Sequence, residues 1–311
     1  MYSGNESTNI LVVCGPTASG KTHLAVELAK RFDGEIISAD SRQVYRGMDI
    51  GTGKDLNEYV LPDGSRVPNY CIDIADPHKI YTLFHYLQDC RVAFDTIVHK
   101  KKIPIMAGGT GLYIEAFLKG YRIPNVPEDP QLRHSLMSRD KKLLQNRLEE
   151  LDSELYAKTD LSSKKRIVRA IEIALFAQKQ EIIWGNENPP YLKPLIIGIN
   201  PPRQLLYDRI DRRLEERLSE GMVDEVKRLV DSGVSRCRLE LFGMEYKRIA
   251  SFLHGECDYR LMVENLRKDI HHLAKRQLTW FRGMQRRGLA VNWVERAELE
   301  SVLPLLPSGK R

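Results

Sequence analysis

Cysteine is scarce and scattered in this sequence. Its five cysteines, Cys14, Cys71, Cys90, Cys237 and Cys257, form no CxxC pair and no Cys/His cluster at zinc-finger spacing. A disulfide framework and a structural zinc are thereby disfavoured, and a reducing compartment fits. Long hydrophobic runs are missing as well: no apolar stretch approaches the roughly 18 residues of a membrane span. The polar start Met1–Asn9 lacks a basic n-region and an apolar h-region, so it reads as a short frayed start and not a signal peptide. A cytoplasmic protein with no membrane partner is expected. Charge of one sign does not dominate either. The net charge is +6 over 311 residues, so its distribution matters more than its total. Basic residues gather at Lys100–Lys102, Lys164–Arg169 and Lys268–Arg287. A solvated face accounts for any one cluster; convergence in space would point to a phosphate-rich partner. Internal repeats and low-complexity tracts are absent.

What is present is an ordinary globular balance, 42% hydrophobic and 29% charged, in a chain long enough to bury a substantial core. The length suggests two domains, or one core with a large insertion. The first ~120 residues alternate short apolar runs with helical patterns, the signature of a parallel sheet with helices on both faces. Strands are expected at Ile10–Cys14, Glu35–Ala39, Tyr70–Ile74 and Ile103–Ala107, and helices at His23–Arg31, Leu83–His99 and from Leu112. Pro124, Pro127 and Pro130 then mark a hinge. Gln131 to about Lys179 is helical in pattern and highly charged, Asn186–Pro190 is a second breaker, and Leu195–Ile199 returns to a buried strand. Helices follow from Pro201 to about Gln285, with a last strand at Ala290–Val294. The expected class is α/β: a phosphate-loop, parallel-sheet core (1–122 and 191–311) flanked by helices, with an inserted all-helical domain at 123–190.

The strongest motif is Gly15-Pro-Thr-Ala-Ser-Gly20-Lys21-Thr22, a full G-x-x-x-x-G-K-[ST] match between an apolar strand and an amphipathic helix. Its glycines let backbone N–H groups turn around phosphate oxygens, Lys21 adds a point charge, the Thr22 hydroxyl can hold Mg²⁺, and the helix aims its positive end at the same anion. After the second strand comes Ser38-Ala-Asp40-Ser41-Arg42-Gln43-Val-Tyr45. A carboxylate at a strand end serves as a general base or binds metal through water, and equally caps the next turn. After the fourth strand, Gly108-Gly109-Thr110-Gly111 permits close backbone approach and supplies a hydroxyl. Many phosphate-loop nucleotidases place a carboxylate there; its absence argues against routine ATP hydrolysis. Further on, a helix over Glu264–Gln285 aligns Lys268, His272, Lys275, Thr279, Arg282 and Arg286 on one stripe, opposite Leu266, Ile270, Leu273, Phe281 and Met284. Such a stripe suits a nucleic-acid backbone, and Trp280 sits between the faces. In the insertion, Lys165, Arg166 and Arg169 share a helix face and, with Arg133, offer either a second basic wall or a solvated surface.

In this order the pieces resemble the tRNA dimethylallyltransferase family. The matching text is Gly15–Thr22, Ile37–Ser41, Gln43–Thr52, Gly108–Tyr113, Arg166–Glu172 and Lys275–Arg282. The resemblance implies transfer of a dimethylallyl group from dimethylallyl diphosphate to N6 of the adenosine next to the anticodon in tRNA, by a monomer using Mg²⁺. It implies that Gly15, Thr17, Ala18, Ser19, Gly20, Lys21 and Thr22 bind the diphosphate, with Thr22 at the metal. Asp40 is the general base, Thr110 bonds near the same amine, and Lys21 assists the leaving group. Asp40, Ser41, Arg42, Gln43, Thr110, Arg133, Lys165, Arg166, Arg169, Lys275, Arg276, Gln277, Trp280 and Arg282 contact tRNA. One arginine in Arg203–Arg213 reaches the diphosphate, Arg209 being the choice. The chain departs from the family pattern at Arg42 (usually Met), Gly53 (usually Ala), Asn69-Tyr70 (commonly His-His), Asp160–Lys165 (no His-Pro-Asn-Asp) and Gly243-Met-Glu-Tyr-Lys247, a variant of a shorter Gly-Tyr-Lys element. No C-terminal zinc finger is present, as in the bacterial form. The alternatives are a nucleotide or small-molecule kinase using the loop for ATP, and a nucleic-acid binder without catalysis.

Overall fold

The computed structural model describes residues 8–179, 185–186, 189 and 191–306. Residues 1–7 of the expected frayed start, and most of the Asn186–Pro190 breaker, lie outside the described residues. Ile10–Cys14 (β1) is apolar at every position and buried throughout, as a strand covered on both faces requires. Ile10, Val12 and Cys14 join one core with Tyr86, Met106 and Phe281; Leu11 and Val13 join another with Leu24, Leu28 and Ile197. Each such side chain contributes about 1.5–3 kcal/mol by leaving water. The chain continues through Lys21–Phe32 (α1), Gly34–Ser38 (β2), Asn69–Tyr70 (β3), Leu83–His99 (α2), Ile103–Gly108 (β4) and Gly111–Leu118 (α3). The apolar run Tyr70–Ile74 is not the strand its composition predicts. Cys71 and Asp73 take φ of 62° and 55°, which ends the ladder after Tyr70, and Ile74 and Ala75 donate instead to the Val44 carbonyl.

Tyr121–Glu187 forms a compact unit of its own, apart from the unit made by Met1–Gly120 and Asn188–Arg311. It contains Tyr121–Arg122 (β5), Pro130–Met137 (α4), Lys141–Leu151 (α5), Ser153–Lys158 (α6), Lys164–Ala177 (α7) and Gly185–Asn186 (β6). It is therefore not all helical: β5 and β6 pair antiparallel, Tyr121 with Asn186 and Arg122 with Gly185. An insertion must bring its entering and leaving chains together, and a two-residue ladder satisfies their backbone groups. Asp129, Asp140 and Asp152 cap α4, α5 and α6 through their carboxylates. Leu136, Leu144, Leu148, Ile167, Val168 and Ile171 form the unit's core.

The remaining elements are Pro194–Ile199 (β7), Arg203–Ser219 (α8), Met222–Asp231 (α9), Arg236–Phe242 (α10), Met244–Leu253 (α11), Tyr259–Arg286 (α12), Val291–Val294 (β8) and Leu299–Val302 (α13). The main sheet has the order β3-β2-β4-β1-β7-β8, and every pairing is parallel. The segments after β2, β4, β1 and β7 therefore leave neighbouring strands at one edge, where open α/β sheets bind ligands. Helices α8 to α12 bury their apolar faces in a further core with Val44, Met48 and Tyr246. On α12, Lys268, His272, Lys275, Thr279, Arg282 and Arg286 are all exposed, while Leu266, Ile270, Phe281 and Met284 are buried.

Candidate active site

The loop from Gly15 to Gly20 is shaped by contacts that leave no room for error. A β-carbon on Gly15 would stand 2.8 Å from the Ile199 carbonyl oxygen and 3.0 Å from Ser19 Oγ. Gly20 takes φ 85° and Ala18, unusually for a residue with a side chain, 59°; such an outlier costs about 1–3 kcal/mol and points to a functional constraint. Ser19 Oγ is buried with no hydrogen-bond partner among the described residues, whereas buried hydroxyls are normally paired. The Lys21 ammonium donates to the Pro16 carbonyl at 2.5 Å. Burial pushes it down to about 8, Asp40 opposing the fall and Arg213 adding to it. An unanswered hydroxyl and a half-buried cation in one loop suit an oxyanion, which accepts from both.

Asp40 follows β2. Its Oδ1 accepts from the backbone N–H of Arg42 at 2.9 Å and of Gln43 at 3.4 Å, so it caps the turn; its Oδ2 makes no hydrogen bond among the described residues and is left for chemistry. Thr110 fastens the neighbouring turn to this one. Its Oγ1 accepts from the Ser41 N–H at 3.0 Å and donates to Ser41 Oγ at 3.3 Å, and its N–H donates to the Ala39 carbonyl at 3.0 Å. Gly108 makes that approach possible, since a β-carbon there would fall 2.2 Å from the same carbonyl. Gln43 donates to the Gly53 carbonyl at 2.9 Å and accepts from Ser38 Oγ at 3.2 Å. Asp40, Ser41, Gln43, Thr17, Thr22 and Thr110 line one cleft of about 270 Å³.

Gln277 of α12, expected at the tRNA, is an internal strut. Its Oε1 accepts from the Thr17 N–H at 2.8 Å and its Nε2 donates to the Gly109 carbonyl at 3.0 Å, so both ends of the amide are used inside the protein. Trp280 lies over Gly111, where a β-carbon would meet ring Cδ1 at 2.1 Å; the Arg287 guanidinium stands 5.4 Å from the ring centroid, and the residue is 39% exposed. Lys275, Arg276 and Arg282 are exposed.

Several other cations expected at tRNA form ion pairs within the protein. Arg42 pairs with Glu245 at 2.5 Å, the two side chains being 20% and 6% exposed, and lines the cleft that holds Asp40. In the insertion, Arg133 grips Glu172 at 2.8 Å and Glu128 at 2.8 Å, and Arg169 pairs with the same Glu172. Arg166 pairs with Asp160, and Lys165 is exposed. Of the cluster Lys100–Lys102, Lys100 bonds Glu35 and Lys102 bonds Asp33, both at 3.0 Å. Arg209 lines a second cleft, of about 850 Å³, beside Lys21 and Thr22. Arg213 and Arg217 line this cleft and also the one holding Asp40. Arg217 and Glu245 were not foreseen from the sequence. The spacing Arg209, Arg213, Arg217, four residues apart along α8, is the signal that marks the first.

No group of three or more His, Cys, Asp or Glu among the described residues could hold a metal. A hard divalent cation that keeps its waters needs less: the Thr22 hydroxyl, which lines both clefts, fits one bound chiefly by phosphate oxygens and water.

The sequence profile described as IPP transferase matches residues 43–284, and one described as isopentenyl transferase matches residues 8–66. The chain belongs to the IPP transferase family. It is 46% identical over 303 residues to a tRNA dimethylallyltransferase 1 of Syntrophus aciditrophicus (strain SB), covering 97% of this chain and 99% of the relative. It is 47% identical over 289 residues to one of Geotalea daltonii, covering 93% and 91%. Among solved structures, the full-length tRNA isopentenylpyrophosphate transferase of Bacillus halodurans is similar at 32% identity and a TM-score of 0.64, covering 93% of this chain and 90% of that one. For an IPP transferase, a phosphate loop, a strand-end carboxylate and a glycine turn on one sheet edge are the parts from which a function is argued.

Proposed function

We propose that this chain transfers the dimethylallyl group of dimethylallyl diphosphate to N6 of adenosine 37 in tRNA, next to the anticodon, releasing diphosphate. The observation that carries the reading is the single cleft shared by the loop residues Thr17 and Thr22 with Asp40 and Thr110: a leaving-group site and a proton acceptor side by side. The allylic C1–O bond breaks with its electron pair going to diphosphate, the N6–C1 bond forms, and the N6 proton passes to Asp40 Oδ2. Lys21 and the loop N–H groups stabilise the charge that develops on the leaving group, and Thr22 would hold a Mg²⁺ ion that neutralises it further when bound. The amine is a weak nucleophile, so a positioned acceptor is needed. Thr110 and Ser41 keep the Asp40 turn in place. A base stacked in the anticodon loop must be flipped out to reach the cleft, and the exposed stripe Lys268, Lys275, Arg282 and Arg286 of α12 supplies cations for the tRNA backbone.

A kinase reading keeps the loop but leaves Asp40 and the basic stripe without a task, and β4 ends in glycine where a metal-supporting carboxylate would stand. The deciding experiment incubates the protein and Mg²⁺ with unmodified tRNA and dimethylallyl diphosphate and weighs the digested nucleosides. One adenosine is expected to gain the mass of a dimethylallyl group less a hydrogen. No gain, together with phosphoryl transfer from ATP, would replace the transferase by a kinase.

A further inference from the structure

Thr52 and Gly53 form one wall of the cleft that contains Asp40. The backbone just before them is held from behind by a single buried carboxylate. Glu225 lies in the first turn of α9 and is 2% exposed. Its Oε2 accepts from the N–H groups of Asp49 and Ile50, both at 2.7 Å, and its Oε1 from the N–H of Gly51 at 3.0 Å. The Tyr246 hydroxyl of α11 donates to the same Oε1 at 2.8 Å. Three consecutive N–H groups turned to one point make a cradle for an anion, and here a side chain of the protein fills it. Bonds to an ionised acceptor are about twice as strong as neutral ones, and the positive end of α9 favours the same charge.

The held segment also rests directly on α11. A β-carbon on Gly51 would stand 2.7 Å from the Tyr246 hydroxyl oxygen, and Tyr246 is fully buried. From this segment a short chain of bonds leads to Asp40. The Gly53 N–H donates to the Ile50 carbonyl at 3.1 Å. The Gly53 carbonyl accepts from Gln43 Nε2 at 2.9 Å, and the Gln43 N–H donates to Asp40 Oδ1 at 3.4 Å. Glu225 itself does not line the cleft, so any influence it has on the reaction passes through these groups.

We propose that Glu225 is a positioning residue for the transfer step: it fixes the segment 49–51 and, through Gly53 and Gln43, the turn that aims Asp40 at the amine. The assignment rests on the transferase reading above. It extends the catalytic apparatus into α9 and α11, which carry no part of the phosphate loop.

The test compares wild type with Glu225→Gln, Tyr246→Phe, Gly51→Ala, Gln43→Ala and the double variant Glu225→Gln/Gln43→Ala. Turnover is measured with dimethylallyl diphosphate, Mg²⁺ and tRNA, and amide hydrogen exchange is followed over 48–54. An amide group at Glu225 cannot accept from all three N–H groups, so exchange at 49–51 should quicken. A displaced acceptor costs rate and not binding, so kcat is expected to fall roughly tenfold to a hundredfold with KM for donor and tRNA unchanged. Gly51→Ala, which pushes the segment off Tyr246 and leaves Glu225 intact, should give the same signature. Tyr246→Phe removes one bond of the four and should lose less. Once Gln43 is Ala, Glu225→Gln should cost little more, because the link it acts through is already cut. Strictly additive losses would overturn the route through Gln43, and unchanged exchange would overturn the cradle. A raised KM for the donor at unchanged kcat would assign the segment to the diphosphate and overturn the proposal. Should Glu225→Gln fail to fold, Gly51→Ala and Tyr246→Phe carry the same comparison. An active wild type with an equally active Glu225→Gln defeats this inference alone, whereas a wild type that adds no mass to tRNA defeats the transferase reading and this inference with it.

Discussion

Arginine is used in opposite ways in the two units. In the insertion, Arg133 and Arg169 converge on Glu172, which is 3% exposed, and the convergence is neutralised at its centre. In the core, Arg213 and Arg217 converge on Gly53, where no side chain stands, and only Arg213 has a carboxylate partner. Identical residue types at helical spacing thus build an internal fastening in one place and, in the other, leave Arg217 without a carboxylate partner among the described residues. What separates them is whether a buried carboxylate occupies the point of convergence, because a cation taken from water must be paired by something. The Arg166–Glu172 segment matches the family text, yet much of its charge serves the insertion's own integrity.

The contrast is sharpest at Asp40, a cleft carboxylate with no ion pair among the described residues. Asp40→Ala is expected to slow transfer by roughly 10²–10⁴-fold, the contribution of a general base, with tRNA binding nearly intact by filter retention. Asp40→Asn divides the two roles of this residue. Its amide oxygen can still accept from the Arg42 N–H but cannot take a proton, so an equal loss assigns the effect to proton transfer, and a recovered rate assigns it to the turn.

Glu172→Ala breaks the other side of the comparison. Removing one partner of a buried ion pair costs about 3–5 kcal/mol; with Arg133 and Arg169 30% and 35% exposed, solvent screening reduces this to about 2–3 kcal/mol. Limited proteolysis within 121–187 is expected to quicken while diphosphate affinity of the core stays at its wild-type value. Weakened diphosphate binding would mean that Glu172 supports more than its own unit. Gln277→Ala has a smaller expected effect, about 1–2 kcal/mol, because it orphans the Thr17 N–H and the Gly109 carbonyl. It should lower the melting temperature and raise KM for the donor together.

Much of this could be read in the sequence because local rules and global fold agree. The apolar runs of β1, β4 and β7 lie where alternation and length placed them, and the exposed stripe of α12 follows from its period. The loop Gly15–Thr22 carries its geometry in its glycines. Other features were hidden for physical reasons. The run Tyr70–Ile74 has strand composition, but left-handed backbone at Cys71 and Asp73 turns it aside, and no propensity records that. Whether Arg42 or Arg133 is a free cation depends on Glu245 and Glu172, which are remote in sequence. Gln277 reads as one more polar residue of a basic helix until its amide is seen between Thr17 and Gly109. The approach of Arg217 to Gly53, 164 positions away, is likewise remote in sequence.

The two regions also respond to opposite ends of the pH scale. Burial lowers Lys21 from its ordinary 10.5 to about 8, so the ammonium that answers a phosphate is lost as pH rises through about 8. Affinity for a diphosphate monoester, whose phosphates are ionised above about pH 7, is expected to fall above pH 8 by at most tenfold per pH unit. Lys21→Met should flatten that slope, and a slope that persists in the variant would assign it to another group. Glu172 behaves with the reverse sign. Burial favours its neutral form, but the bonds from Arg133, the Asp129 N–H and Arg169 hold it below its ordinary 4.5. The stability it lends the insertion is therefore present above about pH 4.5 and lost as pH falls through its depressed range, whereas arginines stay charged across the alkaline window. Proteolysis of the insertion should stay constant from pH 7 to 9 while diphosphate binding weakens, so a pH series on one sample separates the satisfied cations from the waiting ones.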